Sequence, residues 1–139
     1  GSAWFAFGLS ESGGMVGADI ASVEFTSNGQ SSIVDRFVPW TASPLGDAPL
    51  PFPVTDTSQD WELICAENTA SLTTSLLRRK LNTQDSDQDR AIIEGSTSII
   101  YAWGNGYMGY HGSNRGSAII DFFEESSSSD DFVPPTDAD

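Results

Sequence analysis

The stretch AWFAFGLSESGGMVGADIASVEFTSNGQSSIVDRF, residues 3–37, decides the fold. It begins with an apolar, aromatic run at residues 3–9, which ends in the turn-forming segment Ser-Glu-Ser-Gly-Gly. Residues 19–26 then alternate between two faces, which is typical of a β-strand. Asn28-Gly29 predicts a tight turn, and residues 31–37 resume as a strand. The stretch therefore predicts an antiparallel hairpin beside a buried strand.

Short strand-like segments continue along the chain, separated by turn-forming residues. They are residues 61–66, 71–77, 98–103 and 117–123. The connection from Pro39 to Pro53 holds five prolines and cannot lie in a central strand, so we expect it to cross from one sheet to the other. About seven short strands with such a crossover predict an all-β, antiparallel β-sandwich.

The two ends of the chain differ from this pattern. A strand that looks buried starts at Ala3 with only Gly1-Ser2 before it, so we expect one or two further N-terminal strands to belong to the natural sandwich or to come from another chain. Residues 124–139 hold six of the 20 acidic residues, no base and one aromatic. The sequence therefore predicts a sandwich domain at 1–123 and an acidic tail or linker at 124–139.

Composition excludes several classes of function. The net charge of −14 repels phosphate backbones, so nucleic-acid binding is not expected. One His, His111, cannot supply a set of imidazoles for a zinc or copper enzyme centre. No apolar run is long enough for a membrane span. We therefore expect a non-catalytic module of a larger protein.

Five blocks of sequence, in order, resemble the DOMON domain family, and most closely its dopamine β-monooxygenase-like type. They are AWFAFGLSESGGMVGADI (3–20), VDRF (34–37), LLRRKLNTQDSDQDRAI (76–92), IIYAWG (99–104) and YHGSNRG (110–116). The resemblance to the cytochrome domain of cellobiose dehydrogenase is weaker. The resemblance to the DOMON family implies an immunoglobulin-like β-sandwich that lies outside the cell or in the lumen of the secretory pathway.

The same resemblance implies a candidate cofactor site. Cytochrome members hold haem b between a Met in the loop after the Gly-Leu-Ser strand and a His near the start of a late strand, and here these places are filled by Met15 and His111. A thioether and an imidazole are a sensible axial pair for electron transfer. Trp4, Phe7 and Tyr107 would form apolar walls. Met108 is a second sulfur close to His111.

Haem-free functions remain open beside the cytochrome interpretation. Copper-monooxygenase-type members can carry both residues without an established haem role, and a haem-free module would bind a sugar or contact a neighbouring domain or chain. If haem is bound, the partner is a redox protein. The resemblance also implies hydroxylase domains elsewhere in the natural polypeptide.

Acidic residues suggest further alternatives. The segment QDSDQDR lacks the glycine of an EF-hand loop, so Asp85 and Asp89 are expected to cap backbone N–H groups, with a calcium or sodium site as the alternative. A buried Asp19 or Asp35 would pair with Arg36 or Arg115. Such an ion pair would be structural, because no second catalytic group accompanies either aspartate.

Cys65 and a short basic run are both expected to have structural roles. Cys65 lies in the predicted strand WELICAE, where a buried apolar thiol is expected, although an exported protein could pair it with a cysteine elsewhere. The basic run at residues 78–80 is expected to be the solvated end of a strand.

Overall fold

The computed structural model describes residues 3–39, 52–106 and 109–124. These residues form strands and their connections, and no described segment is a helix of the length and apolar character needed to cross a bilayer. The strands are β1 (Ala3–Leu9), β2 (Asp19–Phe25), β3 (Ser31–Phe37), β4 (Val54–Thr55), β5 (Glu62–Asn68), β6 (Thr73–Arg78), β7 (Ser96–Asn105) and β8 (Arg115–Asp121).

Six of the strands form one antiparallel sheet in the order β4-β3-β2-β1-β7-β8. The predicted hairpin is β2–β3, and Gly29 in its turn has a φ of 83°, a conformation that glycine adopts without steric cost. β1 and β2 are central, so the hydrogen-bonding edges of both strands are paired. β2 is also buried along almost its whole length although its sequence alternates, so both of its faces are covered by packed residues.

The second sheet is the antiparallel pair β5–β6. A register shift between Leu63 and Cys65 interrupts the pairing. Such a bulge places two residues of one strand opposite one of the other and breaks the two-residue alternation. Cys65 is therefore exposed, and the prediction of a buried thiol is wrong.

The chain crosses between the sheets later than expected. After the Pro-rich connection it returns to the first sheet as β4, where Phe37 pairs with Val54 and Arg36 with Thr55. The second sheet begins only at Glu62. The prediction that residues 39–53 make the crossing is wrong, because the proline segment leads into a two-residue edge strand, a place where missing N–H donors cost little.

Apolar side chains pack on both faces of β1. One cluster is Trp4, Ala6, Ala18, Ile20 and Val38, with Met15, Ile100 and Ala102 packed against it. The other is Leu9, Ile92 and Ile99, with Phe7, Trp61 and Ile120 packed against it. The second cluster contains Trp61, which precedes β5, and so joins the two sheets.

The predicted fold class, an all-β antiparallel sandwich, is confirmed. The seven predicted strand segments correspond to β1–β3 and β5–β8, with ends shifted by a few residues. The predicted tail, 124–139, lies outside the described residues except for Glu124.

Candidate functional site

A cavity of about 820 Å³ lies over the face of β1 that carries Trp4 and Ala6. Its volume is in the range of about 300–1,000 Å³ that is usual for small-molecule and cofactor sites. The lining is mostly apolar side chains and glycines. It comprises Trp4, Ala6, Phe7, Gly8, Gly13, Gly14, Met15, Ile20, Phe52, Pro53, Ile100, Tyr101, Ala102, Gly109, Tyr110, His111, Arg115, Gly116 and Ser117.

Met15 lies in the connection between β1 and β2. The Ser10 hydroxyl donates to the Gly14 carbonyl at 2.6 Å, and the Ala18 N–H donates to the Met15 carbonyl at 3.1 Å. Gly13 and Gly17 have φ values of 72° and 73°, which allow the loop to turn back over the sheet. The backbone on each side of Met15 is therefore fixed, and its half-buried side chain lies on the cavity wall.

His111 lies in the connection that leads into β8. Its Nδ1 is 3.0 Å from the Gly112 carbonyl oxygen. Because a carbonyl can only accept, this contact requires that Nδ1 carry the proton in the neutral ring, which leaves the lone pair on Nε2. A hydrogen bond of this kind, from the second ring nitrogen to a carbonyl, is how metal-binding histidines are usually oriented.

The loops of Met15 and His111 leave the sheet at opposite ends. Leu9 at the end of β1 pairs with Ile99 near the start of β7, whereas Ala3 pairs with Asn105 at the end of β7. The loop after β1 and the loop after β7 therefore start a strand length apart. Both fold back over the same face, since Met15 and His111 line one cavity.

The predicted wall residues have different placements. Trp4 lines the cavity but is 5% exposed and belongs to the core. Phe7 also lines it, while its ring packs edge-on against Trp61 at a centroid distance of 6.1 Å. Tyr107 and Met108 lie outside the described residues.

Sequence reasoning missed several residues of the lining, including Arg115, Phe52 and Pro53. Arg115 brings a positive charge to the cavity, and Phe52 and Pro53 reach it from the end of the Pro-rich connection. A prediction of how β7 pairs with β8 would have placed Arg115 at the cavity, because Arg115 opposes the lining residue Ala102 in the register. No local signal identifies Phe52 or Pro53, since their positions depend on where the chain rejoins the sheet.

A buried ion pair lies away from the cavity. Arg79, just after β6, donates from Nη1 to Asp19 Oδ2 and from Nη2 to the Arg90 carbonyl. The side chains of Arg79 and Asp19 are 1% and 0% exposed. The Arg79 guanidinium also lies 5.1 Å from the centre of the Trp61 ring, a cation–π distance. This pair connects the second sheet to the first.

This ion pair corrects two predictions. Asp19 pairs with Arg79 instead of Arg36 or Arg115, and Arg36 pairs with Glu24 at 3.2 Å. Arg79 is buried, so the expectation of a solvated basic run is wrong at this position. The reason is tertiary, because the buried charge of Asp19 on the other sheet offers Arg79 a partner that local sequence does not show.

Three further aspartates close to Asp19 lack hydrogen-bond partners on buried oxygens: Asp35 Oδ1, Asp56 Oδ2 and both oxygens of Asp89. The Asp60 N–H donates to Asp35 Oδ2 at 2.9 Å, and the Ser58 N–H donates to Asp56 Oδ1 at 2.8 Å. Asp89 was expected to cap backbone N–H groups, and that prediction is wrong. Its neighbour Asp85 does so, accepting from the Asp87 and Gln88 N–H groups at 3.1 Å.

Burial raises the pKa values of these carboxyls. The pKa of Asp35 rises to about 7, chiefly through burial, with a lowering effect from the Asp60 N–H and further raising by Asp89, Asp19 and Asp56. Burial raises the pKa of Asp89 to about 6, and the Thr83 hydroxyl offsets part of this rise without meeting the geometry of a hydrogen bond. Burial also raises the pKa of Asp56.

These shifts predict an inverted pH dependence of stability in metal-free buffer. The folded-state pKa of Asp35 and of Asp89 lies above the reference value of 3.8, so the folded chain binds protons more tightly than the unfolded chain. Their contribution to the free energy of unfolding is then full below the reference value and is lost as pH rises through about 6 and 7. We expect urea unfolding to show stability falling between about pH 5 and pH 7.5.

The Asp35→Asn variant tests the origin of this slope. The amide does not titrate, so the variant should lose much of the dependence, while Asp87→Asn, in an exposed position, should keep it. The charged groups that raise the pKa of Asp35 are Asp89, Asp19 and Asp56. A stability that rises over the same pH range in the unmodified chain would contradict the prediction.

Comparison with known proteins agrees with this architecture. The DOMON domain family model matches residues 1–104. The chain is 35% identical over 115 residues to MOXD1 homolog 2 of Drosophila melanogaster, an alignment that covers 83% of this chain and 14% of that protein. The chain thus spans a small part of the length of this relative.

The matched region includes β1–β6 and nearly all of β7, together with the Met15 loop. It ends before His111 and β8. DOMON domains are accessory modules of a ligand-binding type. The resemblance found from the five sequence blocks is confirmed, and the chain belongs to the DOMON domain family.

Proposed function

We propose that this DOMON domain binds haem b in the cavity between the Met15 loop and His111, and that it transfers single electrons to or from a redox partner. One observation carries the proposal. Met15 and His111 line the same cavity, and the contact of His111 Nδ1 with the Gly112 carbonyl leaves Nε2 as the ligand atom.

The donor set and the lining fit a haem. A thioether and a neutral imidazole are an established axial pair for b- and c-type electron-transfer centres, and the soft sulfur favours ferrous iron. The cavity offers apolar atoms from Ile20, Ile100 and Ala102 and glycine backbone at Gly13 and Gly14. These surfaces suit a flat, largely apolar macrocycle.

The residues of the chain would perform three tasks. Met15 and His111 would hold the iron, and the half-buried Ile100 and Ala102 would exclude water from it. Arg115 is the arginine on the lining, and its positive charge suits the carboxylates at the edge of haem b. When bound, haem b supplies a one-electron couple whose potential depends on the axial ligands and on the polarity of the pocket.

We expect purified chain to take up haem with an intense Soret band and sharp reduced α and β bands. His111→Ala should weaken haem binding by more than the roughly 10–100-fold that is usual for losing an outer-shell partner. Met15→Leu keeps an apolar side chain of similar volume but removes the sulfur, so it should convert the spectrum to that of a five-coordinate haem. Spectrophotometric haem titration measures both changes.

Met108→Leu is the matched control for the sulfur ligand. It makes the same substitution three residues before His111 and should leave the spectrum unchanged. Loss of the six-coordinate spectrum in Met108→Leu but not in Met15→Leu would reject Met15 as the ligand. A protein that stays colourless with excess haem would reject the proposal as a whole.

A haem-free, sugar-binding function is the second candidate, and the exposed aromatic residues of β7 favour it. Tyr101 and Trp103 are stacked at 6.4 Å with an interplanar angle of 14°, and both are exposed. Trp103 and Phe5 border a groove with Thr73, Thr74 and Ser75. Aromatic faces beside hydroxyl groups suit the apolar face and the hydroxyls of a sugar. Glycan binding that survives His111→Ala would support this candidate.

The setting of the domain is also a proposal. The resemblance to secreted and lumenal family members supports a location outside the cell or in the secretory pathway. The small share of the relative that the chain covers supports neighbouring domains as partners. The one histidine of the chain does not suffice for the copper centres of a hydroxylase, so we propose that any hydroxylation belongs to other domains.

A further inference from the structure

A group of buried carboxylates lies apart from the residues that line the cavity. Asp19 begins β2, Asp35 lies in β3, and Asp89 lies in the connection between β6 and β7. One carboxylate oxygen from each lies within 4.8 Å of the others. All three residues are buried, with exposed fractions of 0%, 1% and 4%. Two strands of one hairpin and a distant connection therefore bring acidic oxygens to one point.

The oxygens that meet there are not all satisfied. Asp35 Oδ1 and both oxygens of Asp89 have no hydrogen-bond partner. In contrast, Asp19 accepts from Trp61 Nε1 at 3.4 Å, from the Arg90 N–H at 2.8 Å and from Arg79. A buried carboxylate without a partner is costly, and native proteins compensate it with a cation or a proton.

Arg79 does not fill this role for the whole group. Its guanidinium is held by Asp19 and by the Arg90 carbonyl. Asp56, nearby, adds a fourth buried carboxyl with an unpartnered Oδ2. The group consequently has more negative charge than the Arg79 contact neutralises, and its free oxygens belong to Asp35 and Asp89.

We propose that Asp35 and Asp89, with Asp19 as the third ligand residue, form a calcium site that connects β2, β3 and the β6–β7 connection. The donors are all oxygen atoms, which suit hard cations and do not suit zinc or copper. Calcium tolerates irregular geometry and gives up its water readily, whereas magnesium requires a near-octahedral site and keeps several waters. A buried site of this kind therefore favours calcium over magnesium.

Calcium titration of the full chain after chelator treatment tests the site. At about pH 8, millimolar calcium should raise the Tm by about 5 °C or more, with a saturable heat in calorimetry. Magnesium at the same concentration should produce a clearly smaller shift. Asp35→Asn and Asp89→Asn should each weaken calcium binding about tenfold or more.

Asp87→Asn is the control, because it removes the same charge from an exposed aspartate of the same connection. It should retain the calcium effect. The proposal is overturned if calcium produces neither a Tm shift nor a heat, if magnesium acts equally, or if Asp87→Asn loses as much affinity as Asp89→Asn. It is also overturned if Asp35→Asn and Asp89→Asn stabilise the chain while calcium has no effect on the unmodified protein. The buried carboxyls would then be neutralised by protons instead of by a cation.

Haem titration separates this site from the proposed function. The calcium ligands do not line the cavity, so Asp89→Asn should bind haem as the unmodified chain does. A failure of haem binding would leave the calcium result unaffected, and the reverse also holds.

Discussion

Replacing Arg79 with methionine is expected to destabilise the folded domain by about 3–5 kcal/mol, the usual result of removing one partner of a buried ion pair. The substitution keeps much of the side-chain volume but leaves Asp19, which is fully buried, without its guanidinium. The contact with the Trp61 ring and the hydrogen bond to the Arg90 carbonyl are lost as well. Urea unfolding monitored by tryptophan fluorescence measures the change.

Arg78→Met is the matched control for this prediction. Arg78 bonds Glu62 at 2.7 Å, but both side chains are more than half exposed, so its loss should cost at most about 1 kcal/mol. The double variant Asp19→Asn with Arg79→Met removes the orphaned charge and should recover part of the stability. Equal losses in Arg78→Met and Arg79→Met would show that burial of the Asp19 pair does not determine its effect.

Replacing Trp4 with alanine is expected to cost about 3–5 kcal/mol, because it removes a large aromatic side chain from a packed cluster. Trp4 is among the most deeply buried aromatic residues, and its indole lies against Gly104 so closely that an added Cβ there would be 2.8 Å from Nε1. The same substitution would enlarge the cavity. Chemical denaturation measures the loss.

Trp103→Ala provides the comparison on the adjacent strand β7. Trp103 is 48% exposed, so the same change should cost far less, within about 1 kcal/mol for a surface position. If both tryptophan variants lost similar stability, the assignment of Trp4 to the core would be wrong. If Trp4→Ala left the free energy of unfolding unchanged, the Trp4 side chain would line the cavity without contributing to the stability of the fold.

Local sequence was sufficient for the strands because their signals are local. The aromatic run of β1, the alternation of β2 and the Asn-Gly turn each act within a few residues, and the structure has strands at those places. The positions of Met15 and His111 in their loops could also be read from the resemblance. The burial of β2 on both faces could not, because it depends on which residues from distant parts of the chain pack over the sheet.

The errors share a physical origin. Cys65 is exposed because a bulge changes the alternation, and Arg79 is buried because Asp19 lies opposite it on the other sheet. Neither the bulge nor the partner is visible in the residues around these positions. The prediction that Asp89 caps backbone N–H groups fails because its oxygens lie in a group that also includes Asp35, 54 positions away in the chain.

The sequence by itself determined the strand content, the family and the two candidate haem ligands, because each depends on short-range alternation, turn chemistry or ordered motifs. The tertiary structure decided which residues share a site. Met15 and His111 line one cavity only because loops from opposite ends of the sheet fold over the same face, and the aspartates meet only because β2, β3 and the β6–β7 connection adjoin. Such convergence follows from strand order and register, which long-range packing sets and local sequence does not encode.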